Sequence, residues 1–518
     1  MPDQNVVREI KTRLRYSWGP FFGRFGNLTK AQQEAIPVIL DGKNLVLASP
    51  TASGKTEAVV APTAERFIKE NWQGLAILYI VPTRALANDT LSRIGDPLSE
   101  MGIKTQLKHG DHPVLNGKLP NCLITTPESL DSLICRRSEI FSNLSTIIID
   151  EIHILDNTYR GDQLRLLLQR LRKIRLGNFS IHILSATLSN PDQIALRYSQ
   201  NFEIVILQGQ REIEWQFIKS PEEICMQAKS RGWKKLLVFC NFRETVEKLG
   251  EVFEPLWKPY PVVVHHGSLS RSFREEAESV MKEAHAAICI ATSTLEIGID
   301  IGNIDLVVLA EIPYGLSSLI QRIGRGNRRS GTIQVAVISD SSKEIAMMQE
   351  MFSCIKTGEL PTSEYKPDLS VVVQQTFSYL FQHRGGVTED ELFELISILS
   401  SKENFVLILE KLQKKDWIEW RGEKWFATTK LMDEGEKGRI HSNIADTQAY
   451  TVLDANSGDS IGTIAGTFDD IFSLGRRTWK IISVQGTIIY AQNYGSGTGA
   501  PIFRRSKQKG AFAYLLPN

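Results

Sequence analysis

At 518 residues the chain is too long for one hydrophobic core, so about three or four domains are expected. Hydrophobic residues at 42% and charged residues at 23% are ordinary for a soluble globular protein, and a net charge of +1 means that any basic surface has to be sought locally. No apolar run approaches the roughly 18 residues of a membrane span, and the start MPDQNVVREIKTRLRY lacks the apolar core of a signal peptide, so a cytoplasmic protein is expected.

In the first stretch, short apolar runs alternate with longer amphipathic ones. Residues 45–48, 75–81, 122–125, 146–150 and 181–187 read as strands buried on both faces, and helices between them imply a parallel α/β sheet. After the first run comes Ser49-Pro-Thr51-Ala52-Ser53-Gly54-Lys55-Thr56, which opens a helix. A strand, a loop of this kind and a helix make a P-loop. Backbone N–H groups of Thr51 to Thr56 wrap phosphates, Lys55 reaches the β- and γ-phosphates of ATP, and the Thr56 hydroxyl binds Mg²⁺. The usual first glycine is Ser49 here, and a common loop glycine is Ala52. At the end of the run 146–150, Asp150 and Glu151 stand side by side. Two carboxylates at a strand end divide the work: Asp150 holds Mg²⁺, and Glu151 polarises the attacking water.

A second set of runs repeats the rhythm at 235–240, 261–266, 286–291, 305–310 and 332–339, with the split near 207–220. It carries Gln321-Arg322-Ile-Gly-Arg325-Gly-Asn-Arg328-Arg329, in which Arg325 and Arg328 are spaced to face one phosphate as charge develops. After about residue 340 the rhythm changes. Thr388-Glu-Asp-Glu391 caps a helix through 399, a second helix covers about 403–414, and 417–420 with 424–427 form a hairpin turning at Arg421-Gly422. Helix, helix, hairpin is a winged-helix pattern. From about 442, short alternating strands with Gly-rich turns form a small β domain. Arg476, Arg477, Lys480, Arg504, Arg505, Lys507 and Lys509 lie in its acid-free end, as a solvated tail or a phosphate-contacting surface. The expected division is 1–207 and 208–340 for two ATP-handling lobes, 341–440 for the winged helix and 441–518 for the β domain. The 6 cysteines form no C-x-x-C pair and several lie in apolar runs, as buried reduced thiols do. No metal site beyond Mg²⁺ is expected.

Set in order, these residues resemble the motifs of superfamily 2 helicases with two RecA-like lobes. Thr29-Lys-Ala-Gln32 looks like the Q motif, in which Gln32 reads adenine. Pro82-Thr83-Arg84-Ala85 looks like motif Ia and Thr126-Pro127-Glu128-Ser129 like motif Ib. Ser185-Ala186-Thr187 matches motif III, which couples hydrolysis to motion. CNFRETVEKL from Cys240 and HHGSLSR from His265 match motifs IV and IVa. Thr292 to Asp300, including Gly298, matches motif V, and the run from Gln321 matches motif VI. DEIH at 150–153, HHGSLSR, GRGNRR and the stretch Phe472–Lys480 resemble the Lhr (large helicase-related) family, beside whose typical cores this chain is compact. That resemblance implies a 3′-to-5′ ATP-dependent translocase on single-stranded DNA or RNA and tailed duplexes, unwinding DNA or RNA:DNA, and working as a monomeric motor. The alternative is an ATP-driven remodeller of RNA or nucleoprotein without processive unwinding.

Such a motor grips one strand through its phosphates. Thr83, Arg84, Thr126 and Pro127 are the first-lobe candidates, and Asn241, Gly267, Ser268 and Thr292 are the second-lobe ones. Trp479 beside Arg476 and Arg477 offers a base an aromatic face. Trp417, Trp420 and Trp425 are left to core and cross-strand packing. His153 is given a coupling role, bridging motif II to Gln321 or to motif III.

Overall fold

The computed structural model describes residues 4–517 except 51–52, 113, 116, 176, 187–189, 208–211, 293–294, 296–300, 314, 327–331, 358–364, 445–448, 466–470, 475–476, 486 and 496–509. The chain divides into two compact units. Residues 1–207, 361–445 and 508–518 form the first, and 208–360 with 446–507 form the second.

In the first unit, β1 (Asn44–Ala48), β2 (Ile77–Ile80), β3 (Thr105–Lys108), β4 (Cys122–Thr125), β5 (Thr146–Ile149), β6 (Ser180–Ser185) and β7 (Phe202–Ile206) make one parallel sheet. Their order is β3-β4-β2-β5-β6-β1-β7. The five central strands are the expected ones, and their side chains are almost fully buried. β3 and β7 are edge strands, half-exposed and without the continuous apolar run that marked the others. In the second unit, β8 (Glu212–Ile218), β9 (Lys235–Phe239), β10 (Val262–His265), β11 (Ala287–Ala291), β12 (Leu306–Leu309) and β13 (Thr332–Ile338) pair in parallel in the order β10-β11-β9-β12-β13-β8. These are two RecA-like lobes. The helix Ser342–Thr357, which the sequence assigned to the winged helix, instead buries Met348, Met351 and Phe352 in the second-lobe core.

The winged helix packs within the first unit. Its central helix Ser370–Gln382 is buried along nearly its whole length, so no amphipathic period marked it in the sequence. Helices Glu389–Ile396 and Lys402–Lys414 surround it, each capped by a hydroxyl, from Thr388 and Ser401. The hairpin β14 (Ile418–Arg421) and β15 (Lys424–Ala427) turns at Gly422-Glu423, one residue later than expected. Both turn residues have positive φ, 50° and 74°, as the commonest two-residue hairpin requires. Trp425 is buried with Trp420 edge-on at 5.0 Å, and Trp417 stacks on Phe377 at 4.9 Å. The C-terminal residues return to this domain, where Phe512 and Leu515 join its core.

β16 (Ala449–Asp454), β17 (Ser460–Ala465), β18 (Ile471–Leu474), β19 (Arg477–Gln485) and β20 (Ile488–Gly495) form a mixed sheet in the second unit, in the order β17-β16-β20-β19-β18. Val452, Ile461, Leu474, Trp479, Ile489 and Ala491 share one core with the second lobe. A backbone bridge joins Leu269 to Gly462, and Ser270 N donates to Ile461 O at 2.9 Å. Only glycine suits position 462, because a Cβ there would meet Ser268 O at 2.0 Å.

Candidate active site and nucleic-acid surface

The phosphate loop leaves the C-terminal end of β1 and enters the helix Lys55–Lys69. Gly54 caps that helix in the left-handed conformation, φ 78°, which glycine adopts without the steric cost of a Cβ. Lys55 Nζ donates to Ser49 O at 2.7 Å and Pro50 O at 3.2 Å, and Ser49 Oγ lies 2.7 Å from Ser53 Oγ. The loop is braced from the Q-motif side. Thr29 Oγ1 donates to Ser53 O at 2.7 Å, and Thr29 and Gln32 form a capping box. Gln32 Nε2 reaches Gly54 O at 3.4 Å. The Gln32 amide, expected to read adenine, is thus also a strut of the loop.

At the end of β5, Asp150 is 5% exposed and accepts a hydrogen bond from the buried Tyr79 hydroxyl at 2.7 Å. Burial, and then the neighbouring Glu151 charge, push the Asp150 carboxyl up to about 6. Tyr79 on β2 escaped the sequence reading, since a tyrosine in an apolar run looks like core until its hydroxyl has a partner. Glu151 has φ 47°, a left-handed conformation rare outside glycine, and its N–H donates to Asp150 Oδ1 at 2.9 Å. Glu151 Oε2 is buried with no hydrogen-bond donor among the described residues, the kind of atom that a reacting water satisfies. His153 Nδ1 lies 2.8 Å from Ser185 Oγ and 3.4 Å from Glu151 Oε2. Burial, and then the Lys55 charge, hold the His153 imidazole down at about 3, so it is neutral. The Ser185 contact is the link to motif III, one of the two bridges considered for His153.

In the second lobe the helix Leu316–Ile323 carries Gln321 and Arg322, and Arg325 follows in the turn, all three buried. Arg322 Nη2 donates to Asn241 Oδ1 at 2.8 Å, and Asn241 Nδ2 donates to Ile312 O at 2.7 Å. The Asn241 amide, expected on the nucleic-acid track, therefore ties motif IV to motif VI inside the lobe. Thr51, Ala52, Thr187, Gly298, Asp300, Arg328 and Arg476 lie outside the described residues, and of Arg477 only the backbone is described.

On the expected track, Thr83 Oγ1 caps the helix Arg84–Glu100 by accepting from Leu86 N at 3.2 Å, and Arg84 pairs with Asp111 at 2.8 Å on the surface. Thr126 and Pro127 are buried at the start of the helix Pro127–Arg137, so what they offer a strand is a helix N-terminus rather than side chains. Gly267 is exposed, Ser268 Oγ accepts from Arg243 Nη1 at 2.6 Å, and Thr292 is half-buried. Trp479 corrects the sequence reading. It is 1% exposed, and Nε1–H donates to Leu474 O at 2.8 Å, so no ring face is left for a base. The basic neighbours suggested a stacking platform, but the strand period turns the indole into the shared core. Trp479→Ala is expected to cost about 3–5 kcal/mol of stability, read as a lowered thermal midpoint, before it changes any nucleic-acid contact.

A cluster no motif announced joins the winged helix to the helix Pro127–Arg137. Asp131, fully buried, accepts from Arg170 Nη1 at 2.8 Å, Ser378 Oγ at 2.7 Å, Gln375 Nε2 at 3.1 Å and Gln374 Nε2 at 3.2 Å, and His441 Nδ1 lies 2.9 Å away. Burial opposes charge on His441, but hydrogen bonds donated to Asp131 and Cys135 outweigh it and hold the ring at about 9. Asp131, Cys135 and His441 have the spacing of metal ligands, within 4.8 Å. The buried Arg170 and the protonated imidazole already meet the Asp131 charge, which leaves a cation nothing to neutralise.

Comparison with known proteins agrees in order and extent. The DEAD/DEAH box helicase family matches residues 29–194, and the helicase conserved C-terminal domain matches 218–330. The chain is similar to the ATP-dependent helicase Lhr-Core of Methanocaldococcus jannaschii, 29% identical over 93% of this chain and 63% of that protein. A relative of the same name from Sulfolobus acidocaldarius is 26% identical over 96% and 64%. The chain therefore spans just under two thirds of these curated relatives. Among solved structures, Mycobacterium smegmatis helicase Lhr bound to ssDNA and AMP-PNP superposes with a TM-score of 0.71 at 25% identity, over 83% of this chain and 62% of that one. The DUF1998 helicase MrfA bound to DNA shares the fold, with a TM-score of 0.75 at 20% identity over 93% of this chain and 68% of that one.

Proposed function

We propose that this chain, which belongs to the Lhr family of superfamily 2 helicases, hydrolyses ATP to move 3′-to-5′ along a single strand and to unwind DNA or RNA:DNA duplexes. The observation that carries the reading is the carboxylate pair at the end of β5, beside a P-loop whose glycine has the left-handed geometry an anion cradle needs.

The roles of the residues follow from their surroundings. The backbone amides at the start of the helix Lys55–Lys69 and the Lys55 ammonium receive the phosphates. Thr56, 5% exposed, and Asp150, held in place by Tyr79, are the hard oxygen donors that would hold Mg²⁺, which when bound neutralises phosphate charge. Asp150 is costly to ionise alone in its buried setting, and a cation removes that cost. Glu151, whose buried Oε2 has no hydrogen-bond donor among the described residues, orients the attacking water and accepts its proton. The neutral His153 connects this pair to Ser185, so a change at the γ-phosphate is felt in motif III. Arg325 and Arg328 supply positive charge for the developing negative charge, with the neutral Gln321 amide in the same run. Ser378 and Gln375 fix the winged helix to the helix that motif Ib begins, and the β sheet is fixed to the loop of motif IVa, so each lobe extends its own grip on the strand.

The test is strand displacement from 3′-tailed and 5′-tailed duplexes, DNA:DNA and RNA:DNA, with Glu151→Gln as control. Displacement from 3′ tails alone, lost in the variant, is expected. Strand-stimulated hydrolysis without displacement would instead support the remodelling reading.

A further inference from the structure

At the N-terminal ends of β1, β5 and β6 the first lobe has a cleft of about 810 Å³, with Asn44, Ser145 and Ser180 on its wall. It lies at the opposite end of the sheet from the P-loop, a strand length or about 15 Å away. Among the described residues five arginines line it, Arg66, Arg165, Arg172, Arg175 and Arg197, against the single carboxylate of Glu70.

The charges do not cancel. Arg66 pairs with Glu70 at 2.6 Å, Arg165 with Asp162 at 3.3 Å and Arg197 with Asp156 at 2.7 Å. Arg172 and Arg175 have no carboxylate partner among the described residues. Arg172 Nη2 donates to Tyr198 O at 2.9 Å, and Arg175 Nε donates to Leu144 O at 2.7 Å. Burial alone acts on the Arg172 guanidinium and lowers it from its ordinary value, as expected where no anion stands by. Each of these bonds uses one N–H and fixes the fork, so less side-chain freedom is lost when the remaining donors are used.

The geometry points to a second anion site on the first lobe, in which Arg172 and Arg175 bind phosphate oxyanions. Guanidinium forks match phosphate geometry, and a concave cleft of this volume admits a phosphate chain but not a folded protein surface. Nothing in the ATP site or the expected strand track uses these residues, so the inference stands apart from the proposed function. The phosphates come either from a nucleic-acid backbone leaving the track or from a free polyphosphate.

The experiment compares the full chain with Arg172→Gln/Arg175→Gln, the P-loop being saturated with AMP-PNP so that it does not compete. Tripolyphosphate and a 3′-tailed duplex are the probes. The variant is expected to bind tripolyphosphate about tenfold or more weaker. Its duplex binding is expected to show a salt slope smaller by about 2, one phosphate contact for each arginine. A smaller slope together with weaker tripolyphosphate binding assigns the cleft to the nucleic-acid backbone; weaker tripolyphosphate binding with an unchanged slope assigns it to a free polyphosphate. If the variant does not fold, hydrogen exchange of the wild type supplies the answer, with slowed exchange over residues 172–181 on adding tripolyphosphate expected. Equal affinities and slopes in the two proteins, or no slowing, would overturn the proposal. Failure of the wild type to displace strands would leave the tripolyphosphate arm untouched, so the two readings fail separately.

Discussion

Glu151→Gln is expected to lower strand-stimulated ATP hydrolysis about 10²- to 10⁴-fold, the range a positioned general base contributes, while ATP still binds. The substitution keeps the shape, the left-handed backbone at φ 47° and the N–H donated to Asp150. What it removes is the basicity of an oxygen that has no donor among the described residues. Asp150 is tied to Tyr79 and keeps its place, so the P-loop and its capping box are undisturbed. The effect therefore belongs in kcat. Hydrolysis rates and the binding of a fluorescent ATP analogue, measured side by side, check it. A fall of less than tenfold would mean that the base is elsewhere, and a loss of binding would mean that the charge, not the proton transfer, matters.

How much of this was legible follows from what each signal depends on. Strands of a parallel sheet that are covered on both faces appear as unbroken apolar runs, and the ten expected ones are present, β10 among them although it stands at an edge. The edges β3, β7 and β8 are partly wet, and sequences such as Glu212–Ile218 mix charge with apolar residues. The P-loop and the acid pair were readable because their chemistry needs particular residues at a fixed distance from a strand end. Tyr79 and the Asn241–Arg322 link were not, because each joins residues about 70 to 80 positions apart. Trp479 failed for another reason. Basic neighbours in sequence say little about which face of a strand a side chain takes, and packing against the second lobe decided it.

The other large effect concerns stability. Asp131→Asn is expected to cost the first unit about 3–5 kcal/mol, because Arg170, 1% exposed, and His441 lose the charge they share. Gln374, Gln375 and Ser378 reach Asp131 from the helix Ser370–Gln382, more than 200 residues further along the chain, so the loss falls on the seam between the lobe and the winged helix. Hydrogen exchange over residues 370–382 reads it locally, which suits a chain of several domains better than a single melting curve. The pH dependence supplies an independent check. His441 is held above its ordinary value at about 9, so its contribution is complete below about 6.5 and is lost as pH rises through about 9. Asp131 is held below its ordinary value, the largest effect, burial, being outweighed by His441 and Arg170, and its contribution disappears only in acid. In the wild type, exchange over 370–382 should therefore quicken between about pH 6.5 and 9 beyond its intrinsic rise. In Asp131→Asn that excess should vanish, because the imidazole no longer has a carboxylate to hold its proton. If the variant loses less than about 1 kcal/mol, or keeps the excess, the cluster is ordinary packing rather than the electrostatic joint that fixes the winged helix to the helix of motif Ib.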